Sequence, residues 1–337
     1  MRVLLIGGTG FIGRHVVRRL IEAGQVVTVF HRGQTNPDLP AAVHRIYGER
    51  QHLQSFKTEF KHAAPDVALD LICYNGREAL DLVSALGSEC ERLVVASSMD
   101  VYRSYGRLLC LEEGPPEAQP MNEDAPLRES RYPHRAISKS SQDFAATYEK
   151  ILVEQTVNDA VGSRATILRL PAVYGPGDKY HRAFEYLKRM DDGRQKILLE
   201  ECRSRWLWTR GYVENVADAI ALAVTNKQAR GRVYNVGEPD AQSEAEWVRS
   251  IGRAAGWRGE VVSLPGEKMP AHLTVGYNFK HQMHCDTNRI RRELGYVELI
   301  TREEAMQRTI KWERAHAPDQ FDPASFNYEA EDAALKR

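Results

Sequence analysis

Residues 3–13 read Val3-Leu4-Leu5-Ile6-Gly7-Gly8-Thr9-Gly10-Phe11-Ile12-Gly13, an apolar run that breaks into glycines at Gly7, Gly10 and Gly13. An apolar strand that turns at once into a helix leaves the first helical N–H groups unpaired and the positive end of the helix dipole open. A diphosphate suits that place. Glycine lets the turn be tight, lets a pyrophosphate approach the backbone and lets the helix pack closely on the strand. A glycine triplet alone is a weak signal, so the surroundings decide. Phe11–Ala23 carries Phe11, Ile12, Val16, Val17, Leu20 and Ile21 at helical spacing, and Gly24 leads into a second strand, Val26–Phe30. The stretch predicts a dinucleotide-binding turn with Gly7, Gly10, Phe11, Ile12 and Gly13 against the cofactor.

The rest of the first half alternates strand and helix. Val3–Ile6, Val26–Phe30, His44–Tyr47, Val67–Ile72 and Leu93–Ala96 read as strands, with helical patterns at Leu53–His62 and Arg77–Gly87. Such alternation gives an α/β fold, a doubly wound parallel Rossmann sheet covered on both faces, with ligands at the carboxyl ends of the strands. Ile72 closes one of those strands and is placed on the cofactor. An acidic residue after the second strand would bond the adenosine ribose and favour NAD; this chain has His31-Arg32-Gly33. A guanidinium there pairs with a 2′-phosphate, so NADP is the expected cofactor and NAD the alternative. The competing reading of Arg32 is an ordinary exposed arginine.

The chain has 337 residues, with 46 Lys plus Arg balanced by 46 Asp plus Glu, so a nucleic-acid surface built on net charge is not expected. No apolar run approaches the ~20 residues that span a bilayer, and the first strand starts too near Met1 for a signal peptide. The five cysteines are scattered without a CxxC spacing, which suits reduced thiols and a cytoplasmic location. His281, His284 and Cys285 crowd together, but a zinc site needs a fourth ligand, and no metal is expected.

Further motifs follow in order: Val95-Ala96-Ser97-Ser98-Met99-Asp100-Val101-Tyr102, Glu123–Leu127, Lys150–Glu154, Arg169–Asp178, Arg210–Asp218, Tyr234–Gly237 and Asp286…Tyr296. With the glycine turn, this ordered set resembles the extended short-chain dehydrogenase/reductases, the NAD(P)-dependent epimerase/dehydratase family. The resemblance implies a cofactor lobe over residues 1–172 plus about 210–236. It implies a smaller C-terminal substrate lobe over 173–209 and 237–315, and leaves 316–337 as a surface-laid or mobile tail. It also places Glu49 near the adenine and implies a homodimer. The long helices Arg77–Gly87 and Ala145–Ala160 are its expected interface, since Leu80, Leu82, Val83 and Leu86 exceed one narrow core stripe.

Family members use a Ser or Thr, a Tyr, and a Lys four residues after the Tyr, a spacing that puts both on one helix face. The ammonium lowers the phenol's pKa and holds the nicotinamide ribose, and the phenol exchanges a proton with substrate. Ser98 matches the serine and Lys150 the lysine, but the position four before Lys150 is Ala146. Tyr148, two residues from Lys150, lies about 200° around a regular helix. It serves only if the helix is irregular there. Otherwise Tyr132 is delivered by the long 103–140 stretch, with His134 as a second proton carrier. Glu112–Pro126 and Arg128–Lys139 in that stretch read as loop. Replacement of the tyrosine is a feature of the atypical branch of the superfamily.

In the substrate lobe, Arg210 resembles the arginine that holds a nucleotide-sugar diphosphate, and Tyr180 and His181 are expected on the cleft wall. Ala172 stands where many such enzymes have asparagine. Trp206 and Trp208 either stack on a base or pack in the core. The expected function is an NAD(P)-dependent oxidoreductase, epimerase or dehydratase acting on a hydroxyl or carbonyl of a small polar metabolite, with a nucleotide sugar as one candidate. The competing reading is a dinucleotide-binding or sensor protein without turnover.

Overall fold

The computed structural model describes residues 1–34, 38–140 and 143–336. Its centre is a seven-stranded sheet: β1 Arg2–Ile6, β2 Val26–His31, β3 His44–Tyr47, β4 Val67–Asp70, β5 Arg92–Ser98, β6 Ala165–Leu170 and β7 Arg232–Asn235, in the order β7-β6-β5-β4-β1-β2-β3. Every neighbouring pair is parallel. Strand order reverses between β1 and β4, and the crevice outside their carboxyl ends is the topological switch point where open α/β sheets bind ligands.

The central strands are covered on both faces, and in β1 Val3–Ile6 are apolar throughout. Val3 and Leu5 join one core with Val16, Val17 and Leu20 of the Gly13–Glu22 helix and Val216 and Ile220 of the Val213–Thr225 helix. Leu4 and Ile6 join the opposite core with Leu82 and Leu86 of the Gly76–Leu86 helix and Val153 and Val157 of the Lys150–Val161 helix. Strand residues alternate between faces, so a strand buried on both is mostly apolar, and the polar exceptions Asp70, Ser97 and Arg169 each have a side-chain partner.

The smaller lobe is built from short pairings. Ala172–Tyr174 runs parallel to Arg210–Tyr212, Lys196–Glu200 parallel to Glu260–Leu264, and Leu207–Trp208 antiparallel to Gln242–Ser243. Tyr174, Tyr186, Trp247, Ile251 and Met306 belong to the same core as Val3 and Leu5, so the lobes share one interior. A third cluster, including Met99, Tyr102, Met121, Trp206, Phe279 and Cys285, ties the 99–121 segment to the second lobe. Among the described residues no helix is long and apolar enough to cross a membrane.

Two segments are more ordered than their composition implies. The 103–140 stretch has few regular elements, yet Met121, Glu123 and Arg128 are buried, and single bridges pair Tyr102 with Leu127 and Met121 with Cys285. The C-terminal segment forms a short helix, Tyr328–Ala334, docked on the Phe184–Asp191 helix. There Glu331, fully buried, accepts from Arg189 Nε and Nη2 at 3.0 and 2.9 Å, and His272 Nε2 lies 3.1 Å away. Tail composition conceals this because its anchors are long-range ion pairs rather than an apolar stripe.

Candidate active site

The cofactor end begins at the glycine turn. Gly7 has φ +90°, a left-handed conformation that a side chain adopts only with strain, and a Cβ there would lie 2.7 Å from Ile72 Cγ2. Ile72, just past β4, therefore forms the opposite wall. A Cβ at Gly13 would strike the Gly7 carbonyl oxygen, whereas the space beside Gly10 is open, its nearest neighbour 3.8 Å away. No side chain caps the helix start at Ile12; the Arg14 N–H donates to the Gly10 carbonyl at 3.2 Å and the His15 and Val16 N–H groups to the Ile12 carbonyl at 3.1 and 3.2 Å, so an anion would be met by the turn that precedes them and by the positive end of the helix. The turn, the open Gly10 face and the uncapped helix fit a dinucleotide diphosphate.

At the end of β2, His31 is buried, and its Nδ1 accepts the Gly33 N–H at 3.3 Å while Nε2 has no partner among the described residues. Its ring leans on Tyr47 at 4.9 Å, and burial, helped by Arg45, lowers its pKa. A buried ring nitrogen without a partner is costly unless a ligand meets it. Arg32 follows, exposed. Glu49 lies beside this strand end, where the Gly48 N–H donates to the His31 carbonyl at 3.0 Å.

The chemistry-bearing end lies past β4 and β5. Lys150 is buried rather than a surface lysine, and its Nζ donates to the Cys73 and Ala96 carbonyls, both at 2.7 Å. It also sits 4.8 Å from the centre of the Tyr74 ring. Burial lowers the pKa of its ammonium, with the charges of Cys73, Asp100 and Asp70 opposing the shift. Glu154, four residues on, does not pair with it. Its carboxylate instead accepts from Arg169 Nε and Nη2 at 3.0 and 2.8 Å and from Ser97 Oγ at 2.5 Å.

The expected Ala145–Ala160 helix is broken. A short helix, Phe144–Thr147, stops at Tyr148 (φ −60°, ψ 120°), Glu149 is extended (φ −160°, ψ 97°), and the long helix starts at Lys150. In extended backbone, residues two apart share a face. The break therefore removes the 200° separation and turns Tyr148 and Lys150 toward the same place. Tyr148 Oη donates to Asp100 Oδ2 at 2.6 Å, and its ring is 6.3 Å from Tyr74. Ser98 also contacts the phenol, while its Oγ accepts the Asp100 N–H at 3.2 Å. Burial and the Asp100 carboxylate push the Tyr148 phenol well above its usual pKa. A lysine-activated phenol would be shifted the other way.

Glu149 holds the break. Its carboxylate accepts from Arg128 Nη2 at 3.2 Å, from the Tyr132 N–H at 2.6 Å and from the Ile151 N–H at 3.0 Å, and its own N–H donates to the Tyr74 carbonyl at 2.8 Å. Tyr132 thus contributes its backbone, while its ring lies under Arg135 at 3.8 Å. His134 comes nearer, its ring 5.1 Å from that of Tyr148, and burial lowers its pKa. Asp100 was not singled out from the sequence, although it lies inside the Val95–Tyr102 motif; its Oδ1 is buried without a partner among the described residues.

The substrate-lobe candidates are engaged within the protein. Arg210 is buried, bonded to Glu244 and placed between the Trp208 and Trp247 rings, 5.2 and 4.4 Å from their centres. Trp206 packs in the core, 5.1 Å from Trp208. His181 Nδ1 lies 2.9 Å from Glu313 Oε1, with the imidazole stacked on Trp312. Tyr180 stays exposed, with the Arg182 guanidinium 4.8 Å from its ring.

Residues 3–237 match the model of the NAD dependent epimerase/dehydratase family. The chain belongs to that family. It is 27% identical over 274 residues to the 2'-dehydrokanamycin reductase of Streptomyces kanamyceticus, covering 79% of this chain and 70% of that protein. It is 26% identical to the UDP-glucose 4-epimerase of Azospirillum brasilense, covering 93% and 92%. A solved putative epimerase from Burkholderia cenocepacia shares the fold with TM-score 0.70 at 19% identity, covering 93% of this chain and 98% of the other. As a member of this family, the chain is an enzyme of the epimerase, dehydratase and reductase kind.

Proposed function

We propose that the chain is an NADP-dependent oxidoreductase acting on a carbonyl or hydroxyl of a small metabolite. The observation that carries this reading is the helix break that sets Tyr148 Oη, Lys150 Nζ and Ser98 beside the carboxyl ends of β4 and β5. The nicotinamide would supply or accept the hydride. Gly7, Gly10, Phe11, Ile12 and Gly13 hold the diphosphate, Ile72 and Glu49 flank the cofactor, and Arg32, with His31 behind it, meets the 2′-phosphate. Lys150 holds the nicotinamide ribose by exchanging one of its carbonyl partners for a ribose hydroxyl.

In the direction of alcohol oxidation, Tyr148 Oη takes the substrate hydroxyl proton as its own proton passes to Asp100 Oδ2. This relay needs no free phenolate, which the raised phenol disfavours. Ser98 steadies the reacting oxygen. The relatives named as a reductase and an epimerase support chemistry at a carbonyl or hydroxyl carbon. Leu82 and Leu86 are buried in the core, Val83 packs on it and Leu80 alone of the four is exposed, so a homodimer rests on the family resemblance and not on a wide apolar face of the Gly76–Leu86 helix.

Calorimetry with NADP(H) and NAD(H), joined to cofactor-absorbance assays on a panel of ketones and alcohols, tests the reading. Tighter NADP(H) binding, reversed in Arg32→Asp, and turnover of at least one carbonyl are expected. Equal affinities overturn the role of Arg32. Binding with no turnover across the panel, and no Tyr148-dependent reaction, favours a dinucleotide sensor.

A further inference from the structure

Residues 71–75 join β4 to the Gly76–Leu86 helix and lie between the glycine turn and Lys150. A connection that leaves the sheet ladder needs other partners for its backbone. Two carboxylates supply them. Asp70 Oδ1 accepts the Ile72 N–H at 2.9 Å, and Glu78 Oε2 accepts the Tyr74 N–H at 2.6 Å. Arg50 stands between the two acids, its Nη1 2.5 Å from Asp70 Oδ2 and its Nε 3.5 Å from Glu78 Oε2.

Tyr74 is where this connection meets the chemistry. Its carbonyl accepts the Glu149 N–H at 2.8 Å, one of the bonds that keep the backbone extended before Lys150. The adjacent Cys73 carbonyl receives Lys150 Nζ at 2.7 Å. The Tyr74 ring lies 4.8 Å from that ammonium and 6.3 Å from the Tyr148 ring. Backbone and ring of one residue thus touch both members of the Tyr148 and Lys150 pair. An acid in the first turn of a helix suits the dipole by itself. Glu78 does more, because its carboxylate reaches back past the helix start to Tyr74.

We propose that Glu78, braced by Arg50, is a positioning residue: by fixing Tyr74 it sets where Lys150 meets the nicotinamide ribose. The inference rests on the oxidoreductase reading for the ribose contact, but it concerns placement and is tested by binding.

Calorimetry with NADPH and with 2′,5′-ADP separates the nicotinamide half of the cofactor from the adenosine half; NADH and ADP take their place if NADH is the tighter ligand. Glu78→Ala should weaken NADPH roughly three- to tenfold, the worth of one hydrogen bond. It should leave 2′,5′-ADP nearly unchanged and move the emission of bound NADPH toward that of the free cofactor. Glu78→Asp, charged but one methylene short of the Tyr74 N–H, should show the same loss. Glu78→Gln, which keeps the reach and an acceptor oxygen, should recover most of it. In a Lys150→Met background, Glu78→Ala should cost less than about twofold, because the group it positions is gone. Melting temperatures check folding, and Glu78→Asp carries the test if Glu78→Ala does not fold. Equal losses for NADPH and 2′,5′-ADP, NADPH affinity unchanged in these variants, or an undiminished effect in Lys150→Met each overturns the proposal. A loss confined to NADPH, in a protein with no Tyr148-dependent turnover, leaves the placement claim standing and counts against the oxidoreductase reading instead.

Discussion

Replacing Tyr148 by Phe removes one hydroxyl and keeps the ring, so its packing against Tyr74, His134 and Phe144 survives. What is lost is the 2.6 Å bond to Asp100 Oδ2 and the contact with Ser98, and Asp100 Oδ1 already has no partner among the described residues. A hydrogen bond to a charged group contributes about 1.5–3 kcal/mol, which bounds the loss of stability. Loss of a positioned proton donor costs roughly 10²–10⁴-fold in turnover, or about 3–5 kcal/mol on the barrier. The two effects separate cleanly. Cofactor oxidation at 340 nm reads turnover, calorimetry reads cofactor affinity, and thermal unfolding reads stability. Turnover should fall ~10²–10⁴-fold while cofactor affinity stays nearly unchanged. Tyr132→Phe should behave as the parent, because that ring lies under Arg135 and only its backbone reaches Glu149. Asp100→Asn should slow turnover as well, and Asp100→Glu should restore part of it. A Tyr148→Phe protein that is folded and retains turnover within about tenfold of the parent refutes the relay.

Other expectations follow from burial and charge. Cys110 and Cys202 are exposed while Cys73, Cys90 and Cys285 are buried, and burial pushes the Cys73 thiol up to about 12. A native thiol titration should therefore show two fast groups, the other three reacting only after denaturation. Half-buried His15 is held down to about 4 by burial and by Arg14, so its folded pKa lies below its unfolded value of 6.5. Its contribution is full above pH 6.5 and is lost as pH falls toward 4. Urea midpoints should reveal roughly 1–2 kcal/mol of that loss, absent in His15→Gln. Glu331→Ala should cost about 3–5 kcal/mol in chemical denaturation by stranding Arg189. A cost below about 0.5 kcal/mol would show that the tail adds nothing to the fold.

The cofactor lobe was legible because its signals are local. Gly7 and Gly13 meet steric needs of one turn, and the alternation of apolar strands and amphipathic helices predicts a doubly wound sheet. Strand ends shifted slightly: the stretch read as Val67–Ile72 stops at Asp70, and Ile72 packs against the glycine turn at Gly7. The catalytic end was less legible. Helical periodicity over Ala145–Ala160 conceals the break at Tyr148, because the bonds that hold Glu149 extended come from Arg128, Tyr132 and Tyr74, far away in sequence. Arg210 shows the same limit. Its position in the motif is readable, but its pairing with Glu244 depends on a helix that folds back from 34 residues away. Glu331 carries no local sign of burial, since its partner Arg189 is 142 residues distant.

The central claim is that the broken helix delivers Tyr148 and Lys150 to a nicotinamide. A crystal structure of the NADP complex tests it most directly. The account predicts the diphosphate against the Gly7–Gly13 backbone, Arg32 at the 2′-phosphate, Lys150 on the nicotinamide ribose, and Tyr148 Oη within about 4 Å of the nicotinamide C4 side of the cleft. A complex with the nicotinamide seated away from Tyr148, or with Lys150 still bound to the Cys73 and Ala96 carbonyls and out of reach of the ribose, would contradict it.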